Sequence, residues 1–104
     1  HHVAPGYAAE VLIRWGDPVL PSAPTFDPSN QTPEAQALQF GYNNDYIGYV
    51  PLPAGSNASD HGLLCVNHEY VSREVMFPAL PENPPEALLK QRAAIEIAAH
   101  GGSI

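Results

Sequence analysis

Residues 63–71 read LLCVNHEYV, an apolar run that ends in Asn67, His68 and Glu69. All three side chains can ligate a metal or hydrogen-bond. If the run is a strand, side chains alternate. Cys65, Asn67 and Glu69 then share one face, and Val66 and His68 the other. An amide oxygen and a carboxylate two residues apart on one face suit a hard cation such as calcium, which takes oxygen ligands. His68 faces away and ligates only if the strand bulges or ends there. In the plainer reading, Asn67 and Glu69 close the strand and hydrogen-bond neighbouring turns. A second polar cluster, Asn43, Asn44 and Asp45, lies within GYNNDYIG. Such residues after a glycine are ordinary turn chemistry, because their side chains bond local backbone and tolerate left-handed φ. They also offer oxygen ligands or substrate hydrogen bonds, without matching the EF-hand loop.

Other candidates are weaker. Asp60 and His61 read as solvated loop residues. Asn57-Ala58-Ser59 matches a glycosylation sequon, which matters only in a eukaryotic secreted protein. Cys65 sits inside the apolar run and reads as a small core residue rather than a nucleophile. As the only cysteine, it excludes an intrachain disulfide. The sequence has no Ser/His/Asp pattern, phosphate-cradling glycine loop or CxxC pair. Tyr7, Trp15, Tyr42, Tyr46, Tyr49 and Tyr70 read as packing residues.

Four Lys/Arg stand against eleven Asp/Glu in 104 residues, a net charge of −7. Nucleic-acid binding needs cations that displace phosphate counterions, so this balance argues against it. It argues equally against docking on an anionic membrane. If the ligand is an anion, something other than protein cations must attract it, and bound metal ions are the obvious candidate. No run of 18 apolar residues, the length of a membrane span, is present, and no signal peptide is visible. The chain lacks an initiator Met, and His1-His2 is either native or a tag remnant; the expectation is a mature or trimmed piece of a longer product. With 44% hydrophobic residues, one small domain-sized unit is expected.

Short elements must position these residues. AEVLIRWG (9–16) predicts a strand ending at Gly16. Residues 17–31, with Pro18, Pro21, Pro24 and Pro28, predict an extended surface loop, because proline removes donors and fixes φ. Residues 32–41 predict a short helix with Thr32 as N-cap, Pro33 at the first position and Gly41 as the stop. Residues 45–52 predict a strand with Tyr46, Gly48 and Val50 on one face. After a 53–62 loop it pairs antiparallel with the strand over 63–71. Residues 76–85 form another proline-rich loop. A longer helix is predicted over 83–101, capped by Asn83 with Glu86 three residues on and stopped by Gly101 and Gly102. Its apolar residues go nearly all round, so burial on more than one side is expected; the competing reading is a strand over 94–98. GGSI at the end looks like the start of another strand. The fold class expected is mainly β with two helices.

Three stretches in this order and spacing, VAPGYAAEVLIRWGDPV, QFGYNNDYIGYVPL and GLLCVNHEYV, resemble the N-terminal part of PhoX-type secreted alkaline phosphatases. EIAAHGGSI is similar to that family's approach to its next strand. The resemblance implies a β-propeller, of which 104 residues supply about one blade plus a lead-in segment. It implies hydrolysis of phosphate esters by an iron and calcium cluster, and export by the twin-arginine route to the periplasm or beyond the cell. Cations that clamp phosphoryl oxygens would explain an acidic protein acting on an anionic substrate.

The family's iron-bridging cysteine and most of its carboxylate ligands would follow Ile104, so Cys65 takes no such role. Carried onto this chain are Glu69 as a metal ligand and Asn67 as a weaker one. His68, Asn43, Asn44 and Asp45 are placed beside the metal or substrate. The partners expected are a phosphate ester and the remainder of the polypeptide; the 104 residues alone should lack a competent active site. Two rivals stay open: a non-enzymatic propeller scaffold, and an acidic calcium-binding or interaction module.

Overall fold

Residues 2–104 are described by a computed structural model; His1 of the His1-His2 pair lies outside them. The chain folds around one short antiparallel hairpin. β1 (Ile47–Pro51) and β2 (Gly62–His68) pair with Ile47 opposite Val66 and Pro51 opposite Gly62. Alternating β-branched, aromatic and apolar residues favour this pleated pairing, and Pro51 stands at the end of an edge strand, where a missing donor costs least. β3 (Gly101–Ser103) then adds antiparallel to the other side of β2, Ser103 opposite Val66 and Gly101 opposite His68, giving the order β1-β2-β3. The hairpin, its long loop and the start of a strand at GGSI agree with the sequence reading. The 63–71 strand stops at His68, before Glu69.

The helices differ more. α1 (Pro33–Gln36) starts as expected: Thr32 is extended and its hydroxyl accepts from the Ala35 N–H at 3.1 Å. It ends well before Gly41 because the next residues find better partners across the chain. Phe40 N–H donates to the Asp17 carbonyl, Gly16 N–H donates to the Phe40 carbonyl, and Pro18 bridges Gln39. One turn of helix, α2 (Arg73–Met76), was not anticipated. α3 (Glu86–Ala98) confirms the long helix over the competing strand, and its residues are good helix formers. It does not use Asn83 as a cap. A residue before proline is driven to extended backbone, so Pro84 and Pro85 hold the preceding turn open. Pro85 is the last extended residue, and no side chain caps the end.

The expected strand over 9–16 is the main disagreement. Residues 9–14 form no ladder among the described residues, and Val11 and Leu12 are exposed. Local β preference is decided by the available partner, and none lies alongside.

The core is small. Met76, Phe77, Ile95 and Ala99 pack together, with Trp15, Tyr42 and Val71 against them. The Trp15 indole donates to Gln36 Oε1 at 2.8 Å and meets Tyr42 edge-on. Of the aromatics expected to pack, Tyr7, Tyr46, Tyr49 and Tyr70 are exposed. Arg73 forks onto Glu96 at 2.7 and 2.9 Å, tying α2 to α3. Burial of α3 is one-sided: Ile95 is 2% exposed but Ile97 is 74% exposed. The radius of gyration is 17.0 Å, against roughly 13 Å for a compact globule of about 100 residues. Much apolar surface therefore stays uncovered in this chain, including Ile47, Val50, Leu63 and Leu64.

Gly41 sits where the helical and sheet regions meet. A Cβ there would run into the His68 ring and the Ala99 carbonyl. Neither can yield, since one is held by hydrogen bonds and the other is backbone. Gly41→Ala is expected to lower stability by about 1–3 kcal/mol, the usual range for overpacking. A lowered urea midpoint at unchanged slope would bear this out; an unchanged midpoint would refute it.

Candidate functional site

The end of β2, the 41–46 turn and β3 come together around Asn67, His68 and Glu69. Asn43 takes left-handed backbone, φ 50°, a conformation asparagine tolerates better than most residues. Its carbonyl accepts from the Glu69 N–H at 3.0 Å. The turn is thereby tied to the residue that follows β2.

Asn67 holds the other side of the turn. Its amide oxygen accepts from the Asp45 and Tyr46 N–H groups at 3.2 and 2.9 Å, and its amide nitrogen donates to Asp45 Oδ1 at 2.6 Å. Both lone pairs of the oxygen are thus engaged. Asn67 positions Asp45 in this geometry instead of offering an oxygen to a cation.

His68 points the other way, as strand alternation requires, and is 6% exposed. Its ring meets Phe40 edge-on, centroids 4.7 Å apart. Nδ1 lies 2.6 Å from Asn44 Oδ1 and Nε2 lies 2.8 Å from Ser103 Oγ. An amide oxygen only accepts, so Nδ1 carries the proton and Nε2 accepts from the Ser103 hydroxyl. The Gly41 N–H approaches the same nitrogen at 3.4 Å. The partners of His68 are thus an amide and a hydroxyl.

Burial pushes the His68 pKa below its ordinary 6.5, partly offset by the Asn67 backbone. A depressed pKa contributes stability that is full above the unfolded value and is lost as pH falls through the folded one. The chain should therefore lose stability on acidification below about 6.5. His68→Gln should flatten that part of the profile, and denaturation midpoints between pH 7 and 5 measure it. Equal slopes in both proteins would show that His68 is not responsible.

Asp45 and Glu69 are both exposed, and their carboxyl groups interact. The Asn67 amide, and then Glu69, hold the Asp45 carboxyl below its ordinary range. The hydrogen bond and charge of Asp45 push Glu69 above its own. This is the signature of two carboxylates close enough to share a proton. Once both ionise they repel, and an oxygen-preferring cation would relieve that repulsion. The donors fit such an ion, but calcium takes six to eight oxygens. No group of three or more His, Cys, Asp or Glu able to hold a metal occurs among the described residues. The pair alone supplies too few oxygens for such an ion. Cys65 is a half-buried free thiol, and Asp60 and His61 are exposed on the hairpin loop.

Ser103 and Gly41 escaped the sequence reading as members of this cluster. The only local signal was the Gly101-Gly102 pair before a hydroxyl, with Gly101 at φ 127°. No helix among the described residues is long and apolar enough to cross a membrane.

The end of the three-stranded sheet thus brings Asp45 and Glu69 together, while Asn67, Asn44 and the Asn43 carbonyl hold the turn that presents them. The chain belongs to the alkaline phosphatase PhoX family, whose profile matches residues 1–104. Its structure is similar to that of Pseudomonas fluorescens PhoX in complex with vanadate, a transition state analogue, with 32% identity and a TM-score of 0.69. The similarity covers 90% of this chain but 15% of that one. No curated protein matches.

Proposed function

We propose that this chain is the N-terminal part of a metal-dependent phosphatase that hydrolyses phosphate esters. The observation that carries the reading is the family match over residues 1–104. The similarity to a PhoX protein holding a transition state analogue supports it, as does a net charge of −7 that leaves metal ions to attract a phosphate. In this reading the chain contributes about one blade and the lead-in segment of a β-propeller. Its uncovered strand faces meet the remainder of the polypeptide. Calcium and iron are the cofactors, and the protein works in the periplasm or outside the cell.

Glu69 holds a cation, with Asp45 beside it. Asn67 fixes Asp45 through its amide, and the Asn43 carbonyl fixes the backbone of Glu69. Asn44 and His68 brace the turn from behind. Bound cations would polarise the phosphoryl oxygens and offset the charge that develops on them. The test is the full-length protein, assayed on p-nitrophenyl phosphate, with iron and calcium measured per chain. Turnover with both metals present near stoichiometrically supports the reading. A folded, metal-replete protein without turnover makes it a scaffold, and calcium alone without turnover makes it a binding module.

A further inference from the structure

We infer that Ser103 is a positioning residue for the Asp45–Glu69 pair, acting through His68 and Asn44. The inference rests on the reading of that pair as metal-holding and adds a residue from a distant part of the chain. Ser103 Oγ lies 2.8 Å from His68 Nε2, and His68 Nδ1 lies 2.6 Å from Asn44 Oδ1. Asn44 immediately precedes Asp45, and His68 immediately precedes Glu69. One continuous chain of hydrogen bonds therefore runs from Ser103 through His68, next to Glu69, to Asn44, next to Asp45.

The chain has a fixed direction. Asn44 Oδ1 must accept, so the proton sits on Nδ1 and the Ser103 hydroxyl must donate to Nε2. Without that hydroxyl, Nε2 keeps only the Gly41 N–H at 3.4 Å, a weak contact. The imidazole is then free to change tautomer or rotate, and either change releases Asn44. The turn that presents Asp45 loses its brace from the core side, although Asn67 still holds it from the other. Groups hydrogen-bonded directly to a metal ligand commonly cost about 10–100-fold in affinity when removed, and Ser103, two hydrogen bonds further back, belongs at the low end of that range.

The experiment is calorimetric calcium titration of the calcium-stripped full-length protein. Ser103→Ala is expected to weaken calcium binding by about tenfold. Ser103→Thr, which keeps the hydroxyl, should restore it. Asn44→Ala cuts the same chain at its other end. It should weaken binding comparably, and the double variant should bind no worse than the weaker single. It also carries the test if Ser103→Ala does not fold. Unchanged calcium affinity in Ser103→Ala, even with a lowered melting temperature, would reduce the hydroxyl to a structural role and overturn the inference. Additive losses in the double variant would overturn it too. If Glu69→Gln leaves calcium affinity unchanged, the carboxylate pair is not a metal site and both readings fall together.

Discussion

Glu69→Ala in the full-length protein is expected to lower turnover of a phosphate ester by about 100-fold or more. Lewis-acid stabilisation of a phosphoryl group is worth several kcal/mol, and each 1.36 kcal/mol is about tenfold in rate. Glu69 is exposed, stands just beyond β2 and faces Asp45. Its loss therefore opens no cavity, and the melting temperature of the metal-free protein should barely move. The remaining carboxylate should bind the cation more weakly, so excess calcium should recover part of the lost rate. A kinetic split follows: turnover falls, and its calcium requirement moves to higher concentration. Proton competition sharpens the test. Asp45 raises the Glu69 pKa, so calcium affinity in the wild type should climb as pH rises through that raised value. The alanine variant should lose this part of the climb. Wild-type turnover at wild-type calcium requirement in Glu69→Ala would remove the residue from the site.

Ile95→Ala is expected to cost about 2–5 kcal/mol, the range for a buried large-to-alanine change. Ile95 is 2% exposed and packs with Met76, Phe77 and Ala99 in a core of few residues. Single domains are stable by only about 5–15 kcal/mol, so the loss is a large share of what this chain has. It should also travel. α3 ends at Ala98 and β3 begins at Gly101, so loosening the helix frees the strand that carries Ser103. Ile97→Ala is the internal control, being the same change on the same helix at a residue 74% exposed. It should shift stability by no more than about 0.5 kcal/mol in the isolated chain. Urea denaturation of the two variants side by side decides the matter; equal costs would mean that the core does not lie on the Ile95 face.

The two neighbouring positions illustrate a wider division. Composition and local pattern marked α3 as a helix, but an all-round apolar surface does not say which side is covered. That required the position of α2 and its Arg73–Glu96 pair. Thr32 and Pro33 announced the start of α1 because a cap acts within three residues. Its early end could not be read locally, since Phe40 bonds Asp17 from another segment. Residues 9–16 carried strand composition and still form no strand, because a strand needs a partner and a helix does not.

For the site, alternation along β2 was enough to separate Asn67 from His68, because side-chain period is a local property of an extended chain. Asn43 and its neighbours were legible as a turn for the same reason. The sequence alone also established the acidic balance of these 104 residues, four Lys/Arg against eleven Asp/Glu. Tertiary structure alone decided that Asp45 meets Glu69, that Asn67 spends its oxygen on backbone, and that Ser103 reaches His68. Those pairs are separated by 21 to 35 residues. Contacts at such separation depend on the register of β1, β2 and β3, which the whole sheet sets together and no single segment encodes.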